Sequence, residues 1–111
     1  MSPRAHLGDL EELVLLSVLR LGSEAHGGAV REQLIEHADR KVSISTIYVT
    51  LMRLEEKGYV RSWKGEPTAS RGGKARRMFE LRPEGIAALE TTRSIRDRMW
   101  SGVEAWEDSG A

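Results

Sequence analysis

The chain has 111 residues, of which 40% are hydrophobic and 31% charged, and this size and composition predict one small globular domain. It contains no cysteine, which excludes disulfides and thiolate metal sites, and no apolar run of about 18 residues that could span a membrane. The first eight residues lack the basic-then-apolar layout of a secretion signal, so we expect a cytoplasmic protein.

A formal net charge of zero hides an uneven distribution of charge along the chain. Residues 1–39 carry three basic and seven acidic side chains, and residues 83–111 carry three basic and six acidic ones. Residues 40–82 carry eleven basic and four acidic side chains, a net charge of +7. Clustered Lys and Arg attract phosphates, so this pattern predicts a nucleic-acid-binding surface in the middle of the chain.

The first predicted helix covers residues 9–21 and is apolar on nearly every side. Acidic residues in its first turn suit the positive end of the helix dipole. One apolar face can pack on the core of the domain, whereas the other needs a second surface, and a partner subunit is the simplest one. We assign to this second face Leu15, Leu16 and Leu19.

The second predicted helix covers residues 26–38 and begins with His26 and two glycines. Glycine weakens the start of a helix but lets a neighbouring helix approach closely. The residues predicted to face the core are Val30, Leu34, Ile35 and Ala38.

The third predicted helix covers residues 43–57. The Ser43 hydroxyl can cap its first turn, and Gly58 can take the left-handed conformation that ends a helix. Helical spacing predicts a buried stripe made of Ile47, Leu51 and Leu54. The opposite face offers small polar groups, methyl groups and a guanidinium, which suit the major groove of DNA, although an ordinary solvated face is the alternative.

Two strands are predicted after this helix, at residues 59–63 and 76–81, and a basic turn rich in glycine joins them. A charged hairpin tip alone is also explained by solubility, but a helix followed by a basic hairpin is typical of a winged helix-turn-helix. The residues predicted to contact base edges or nearby phosphates are Ser45, Thr46, Val49, Thr50 and Arg53. Those predicted to cap the helix or position the DNA backbone are Lys41, Ser43, Tyr48, Lys64, Arg71, Lys74, Arg76 and Arg77.

The last predicted helix covers residues 83–107, with Pro83 in its first turn and a short tail at 108–111. The first group of apolar residues in this helix can cover the two strands of the predicted hairpin, which form the wing. Its second group has coiled-coil-like spacing and predicts a dimerisation arm that packs on the first helix of a partner subunit. A two-fold dimer would present two copies of the third helix to a palindromic operator. The residues of this arm are Ile95, Met99, Trp100, Val103 and Trp106.

The run from Thr46 to Val60 resembles the signature of the third helix in the PadR family of bacterial repressors. The run from Gly72 to Gly85 resembles the wing of that family, and the His26–Gly27 pair resembles the start of its second helix. The resemblance implies a mainly α fold with a small β-hairpin, in which a winged helix (residues 1–82) precedes a dimerisation helix.

The PadR resemblance also implies a function, a homodimeric repressor of drug-efflux, transporter or phenolic-acid stress genes. A small planar or aromatic effector could bind between the subunits beside Trp100 and Trp106, or these tryptophans could simply fill the dimer interface. Two departures from the family pattern are Gly28, where Tyr is common, and Arg82, where Thr usually caps the last helix.

Other classes of function have little support in the sequence. His6, His26 and His37 lack metal-ligand spacing, and no nucleophile motif or phosphate-binding glycine loop is present, so we expect no metal, cofactor or enzymatic activity. The alternative to a DNA-binding protein is a winged helix used only for protein contacts. A DNA affinity that falls steeply with added salt would favour the DNA-binding protein.

Overall fold

A computed structural model describes residues 7–67 and 75–103 of the chain. Over these residues the helices are α1 (Asp9–Leu21), α2 (Gly27–Ala38), α3 (Ile44–Glu56) and α4 (Pro83–Trp100). A two-stranded antiparallel sheet pairs β1 (Val60–Pro67) with β2 (Ala75–Leu81), and a short 3-10 turn lies at Gly22–Glu24. The predicted fold class, a mainly α winged helix with a small hairpin and a C-terminal helix, is confirmed.

Local side-chain chemistry explains where the helices begin and end. The Ser43 hydroxyl accepts a hydrogen bond from the Thr46 N–H at 3.2 Å and caps α3, whereas Gly58 follows it with a φ of 81°. His26 caps α2 in the same way, because its Nδ1 accepts from the Ala29 N–H at 3.3 Å. The strand β1 runs four residues beyond its predicted end.

The last helix is shorter than the sequence predicted. It ends at Trp100, and a turn at Ser101–Gly102 brings the Val103 N–H to the Trp100 carbonyl at 2.8 Å. The Ser101 hydroxyl donates to the Arg98 carbonyl at 2.7 Å, and this side-chain bond competes with further helical bonds. Val103 therefore does not continue the predicted seam along the helix, and Trp106 lies outside the described residues.

The core lies where α1, α2, α3 and the base of the hairpin meet. Leu15 was predicted to face a partner subunit, but it is fully buried in this core, because it shares the inner face of α1 with Val14 and Val18. Leu16 and Leu19 do face solvent, with 36% and 49% of their surfaces exposed. The structure also places Ile35, predicted to be buried, 38% exposed on α2.

The hairpin is attached to the helices along both strands. The Phe79 N–H donates to the Ala25 carbonyl at 2.9 Å, so the link between α1 and α2 lies beside β2 like a third strand. At the start of β1, the Tyr59 N–H donates to the Leu54 carbonyl of α3 at 3.0 Å, and the Arg82 N–H closes the base of the hairpin by donating to the Tyr59 carbonyl at 2.9 Å. The ring of Phe79 is buried beneath the sheet. Contacts with the core therefore fix the position of the hairpin, which forms the wing.

A partly buried ion pair connects Lys57, just after α3, to the first turn of α1. Lys57 Nζ lies 2.8 and 3.0 Å from the two carboxylate oxygens of Glu11, a residue that is only 8% exposed. Burial raises the pKa of Glu11, but hydrogen bonds from Lys57 and the Gly8 N–H, together with the Lys57 charge, lower it by more, so the net pKa lies below its usual value. The pair therefore favours the folded state at neutral pH and weakens when acid protonates the carboxylate.

Candidate DNA-binding surface

One face of α3 forms an exposed stripe at helical spacing. Ser45, Thr46, Val49 and Arg53 all face solvent, and Val49 is 57% exposed although it is apolar. Met52, which the sequence analysis omitted, is 45% exposed on the same stripe. Its position one turn after Val49 is the signal in the sequence that could have identified it. The stripe combines hydroxyl, methyl, thioether and guanidinium groups, and such a surface can contact base edges.

Thr50 does not belong to this stripe, and its predicted contact with DNA is wrong for the chain as folded. It is only 4% exposed, and its hydroxyl donates to the Thr46 carbonyl at 2.8 Å. The reason is helical spacing, because Thr50 lies three residues after Ile47 and four before Leu54, both of which are buried.

Three hydroxyl groups cluster at the N-terminus of α3. The Ser43 hydroxyl oxygen lies 3.1 Å from that of Ser45 and 2.9 Å from that of Thr46, and all three residues are exposed. The N-terminus of a helix also carries the positive end of the helix dipole. This end of α3 can therefore donate hydrogen bonds to phosphate oxygens or to acceptors on base edges.

Tyr48 is half-buried between α3 and the start of α2. A Cβ atom on Gly27 would lie 2.5 Å from the Tyr48 ring and 2.8 Å from its hydroxyl oxygen, so a larger residue here would displace the ring from this position. The ring centroid lies 6.4 Å from that of Phe79. The predicted close approach at Gly27 is thus explained by an aromatic side chain, and Tyr48 is held at the edge of the surface.

Arg76 borders a cleft beside Tyr48 and His26. Its Nη1 lies 3.2 Å from His26 Nε2, and its buried Nε has no hydrogen-bond partner within the described part of the chain. The cleft has a volume of about 580 Å³ and is also lined by Glu32. Arg76 is therefore partly engaged by the fold and less available to DNA than an exposed wing arginine.

The wing is connected to α3 by a chain of hydrogen bonds. The Ser62 N–H and hydroxyl both donate to the Glu55 carboxylate, at 3.0 and 2.8 Å. Arg77 Nη1 then donates to the Ser62 hydroxyl at 2.8 Å, while the rest of its side chain is exposed opposite Lys64 on β1. Glu55 therefore sets the position of the wing relative to α3, a role that the sequence analysis missed. Arg71 and Lys74 lie outside the described residues.

The fold neutralises part of the positive segment. Arg40 pairs with Asp9 at 2.7 Å, and Lys57 pairs with Glu11, so two acidic residues of α1 offset two cations of residues 40–82. By contrast, the side chains of Lys41, Arg53 and Lys64 form no ion pair with any described residue. Fewer cations of this segment are therefore unpaired than its net charge of +7 suggests.

A side-chain hydrogen bond from α2 fixes the turn before α3. Arg31 on α2 donates through Nε to the Val42 carbonyl at 2.7 Å. Asp39 ends α2 with a φ of 55°, so the chain turns sharply before it reaches exposed Lys41. These two features place Lys41 close to the N-terminus of α3, as a phosphate contact requires.

A separate apolar groove runs between α1 and α4. It has a volume of about 510 Å³ and includes Leu16, Leu19, Ile86 and Trp100, the last of which is 67% exposed. Charged residues form its rim, and Arg96 donates to Glu12 at 2.8 Å across it. Further along α4, the exposed apolar side chains are Ile95 and Met99, with 46% and 74% of their surfaces accessible.

Comparisons with known proteins agree with this geometry. The model of the transcriptional regulator PadR-like family matches residues 15–91. The PadR family transcriptional regulator of Eggerthella lenta DSM 2243 superposes with a TM-score of 0.67 at 24% identity, over 91% of this chain and 88% of that one. The PadR family regulator of Clostridium difficile R20291 gives 0.67 at 22% identity, over 91% and 96%.

A third solved structure contains DNA. Bacillus subtilis PadR in complex with operator DNA matches with a TM-score of 0.63 at 19% identity, over 74% of this chain and 45% of that one. No curated protein sequence matches the chain. Within residues 7–67 and 75–103, no helix is long and apolar enough to cross a membrane, and no cluster of His, Asp or Glu could hold a metal ion.

Proposed function

We propose, from its membership of the PadR-like family of transcriptional regulators, that this chain is a cytoplasmic repressor that binds a palindromic operator as a homodimer. The observation that carries the proposal is the exposed stripe of α3 beside a wing that is hydrogen-bonded to the same helix through Glu55. The complex of Bacillus subtilis PadR with operator DNA supports a DNA-binding role for this fold.

The exposed residues divide into two groups by the part of DNA that they would contact. Ser45, Thr46, Val49 and Arg53 would face base edges in the major groove, because they project from the outer side of α3. Cationic side chains at the borders would contact phosphates and set the register of the helix. This second group consists of Lys41, Lys64 and Arg77, and the sequence alone adds Arg71 and Lys74, which lie outside the described residues.

Selection of bound duplexes from a random pool tests the proposal directly. We expect a palindromic sequence to emerge, with half-sites about one helical turn apart. With on the order of six phosphate contacts, affinity should fall about 1,000-fold between about 50 and 200 mM salt. If no sequence is enriched and binding is insensitive to salt, the chain is better explained as a winged helix that contacts proteins.

The groove between α1 and α4 supports the homodimer. A soluble monomer would leave Leu19, Ile86 and Trp100 open to water on one continuous surface. A second copy of the chain can cover these residues on both subunits at once, because a two-fold interface uses the same surface twice. A planar effector that stacks on Trp100 in this interface is the finer part of the proposal, and packing without ligand is its alternative.

Leu19→Glu is expected to shift the chain from dimer to monomer, with a dissociation constant raised at least about 10-fold because each interface would bury an unpaired carboxylate. Analytical ultracentrifugation across a concentration series measures this shift. The matched control is Ile35→Glu on α2, where a comparably exposed residue, 38% against 49%, lies away from the groove. Equal sedimentation of both variants and the native chain would place the interface elsewhere.

A further inference from the structure

Two apolar side chains lie near the middle of the exposed face of α3. With about 100° between successive residues of a helix, Val49 and Met52 fall on either side of the direction that points away from the buried stripe of α3. Their side chains are 57% and 45% exposed, and neither belongs to the hydrophobic core. The face of α3 that we assign to the major groove therefore carries an apolar pair where it projects furthest from the core.

The surroundings of this pair indicate what covers it. Neither residue lines the groove between α1 and α4 that supports the dimer, nor the cleft beside Arg76. Polar groups flank the pair on the same helix, namely the hydroxyls of Ser45 and Thr46 and the guanidinium of Arg53. These groups can bind base edges and phosphates. A duplex that meets them would therefore also cover the apolar pair between them.

The four bases differ in what they offer to an apolar side chain in the major groove. Thymine presents its C5 methyl group there, whereas guanine presents the N7 and O6 acceptors and cytosine presents its N4 amino donor. An apolar side chain placed over these polar groups would remove water from them without replacing its hydrogen bonds, which is unfavourable. An exposed apolar pair is therefore matched to thymine and opposed to a G·C base pair.

We propose that Val49 and Met52 determine specificity by contacting the methyl groups of two thymines in each operator half-site, an inference that rests on the DNA-binding role proposed above. Residues three apart on a helix have Cβ atoms about 5–6 Å apart, and the rise of the duplex is about 3.4 Å per base pair. The two thymines should therefore lie within about two base pairs of each other. The requirement should be stricter at Val49, because its side chain is stiff, whereas that of Met52 can adapt.

Replacement of thymidine by deoxyuridine in the selected operator tests this inference. Uracil keeps the O4 acceptor and the base pair and lacks only the methyl group. Each thymine is replaced in turn, at the same position of both half-sites, and the affinity is measured by fluorescence anisotropy. We expect two nearby positions in each half-site at which uracil weakens binding, by about 4-fold for each methyl group removed.

Side-chain variants then assign each methyl contact. Val49→Ala and Met52→Ala should each reduce the preference for thymine over uracil at one of the two positions and keep it at the other. Effects of uracil on the duplex itself are the same for every variant, so they cancel in this comparison. Met52→Leu should retain the preference, because its side chain is still apolar. Ile35→Ala, at a 38% exposed apolar residue of α2, is the matched control and should preserve both the affinity and the preference.

The outcomes separate this inference from the function on which it rests. A selected operator that tolerates uracil at every thymine would overturn thymine recognition, and so would alanine variants that keep the full preference at both positions. In either case the enriched operator itself leaves the proposed DNA-binding function standing. If no sequence is enriched from the random pool, both proposals fail together.

Discussion

Arg53→Ala is expected to lower the affinity for the selected operator by about 1–3 kcal/mol per half-site, roughly 5- to 150-fold, if the guanidinium pairs with a guanine. Arg53 is exposed at the end of the α3 stripe and forms no ion pair with any described residue, so its guanidinium is available. In a two-fold complex both half-sites lose the contact. Fluorescence anisotropy with the operator duplex and with a scrambled duplex of equal length measures the loss.

The signature of a base contact is a loss of discrimination. Arg53→Ala should weaken binding to the operator far more than binding to the scrambled duplex. Lys64→Ala on the wing should instead weaken both duplexes alike and lower the salt slope by about one, because a phosphate contact carries no sequence information. Arg98→Ala, at an exposed position of α4, is the control for charge alone. Equal losses on both duplexes for Arg53→Ala would reassign this residue to the phosphate backbone.

The stability of the Arg53→Ala variant must also be measured, since the Arg53 charge affects the Glu11 carboxylate. Burial raises the pKa of Glu11, and the Arg53 charge is the smallest of the causes that lower it, behind the Lys57 hydrogen bond, the Gly8 N–H and the Lys57 charge. Removing it should therefore cost little stability at neutral pH, because Lys57 still pairs with the carboxylate at 2.8 Å. A thermal unfolding midpoint close to that of the native chain would separate a loss of DNA contact from a loss of fold.

The sequence predicted elements whose causes are local. The period of α3, the cap at Ser43 and the left-handed Gly58 all depend on residues within one or two turns, and the structure has each of them. The resemblance to the PadR family also predicted that the segment after α3 forms the wing. The errors at Thr50 and Leu15 have different causes: Thr50 is a polar residue at an inward position of α3, whereas α1 is apolar on nearly every side, so residue type does not indicate which face holds Leu15.

Contacts between distant parts of the chain could not be predicted from the sequence. Lys57 was counted as part of a basic segment, but Glu11, 46 residues earlier, takes up its charge. The bonds from Glu55 to Ser62 and from Ser62 to Arg77 connect α3 to both strands of the wing, and no spacing rule indicates them. The end of α4 was missed because its apolar spacing continues past a turn that depends on Ser101 and Gly102.

Gly85→Ala is expected to destabilise the fold by about 2–3 kcal/mol, which should lower the unfolding midpoint by roughly 10 °C. A Cβ atom at this position would lie 2.3 Å from the Tyr59 carbonyl oxygen and 3.1 Å from its carbonyl carbon. These atoms belong to the backbone, and the same carbonyl accepts the Arg82 N–H, so the neighbour cannot rotate away as a flexible side chain would. Differential scanning calorimetry measures the change.

The expected loss of stability in Gly85→Ala is informative because helix propensity alone predicts a gain. Alanine is favoured over glycine inside a helix by about 1 kcal/mol, so packing at Tyr59 must outweigh that gain. Gly28→Ala is the matched control in the first turn of α2, where the nearest atom to a new Cβ is His26 Cε1 at 3.4 Å, an ordinary contact. It should raise the midpoint slightly. A Gly85→Ala chain that melts at or above the native temperature would mean that α4 can shift away from Tyr59 at little cost, and that Gly85 does not set the junction between α4 and the wing.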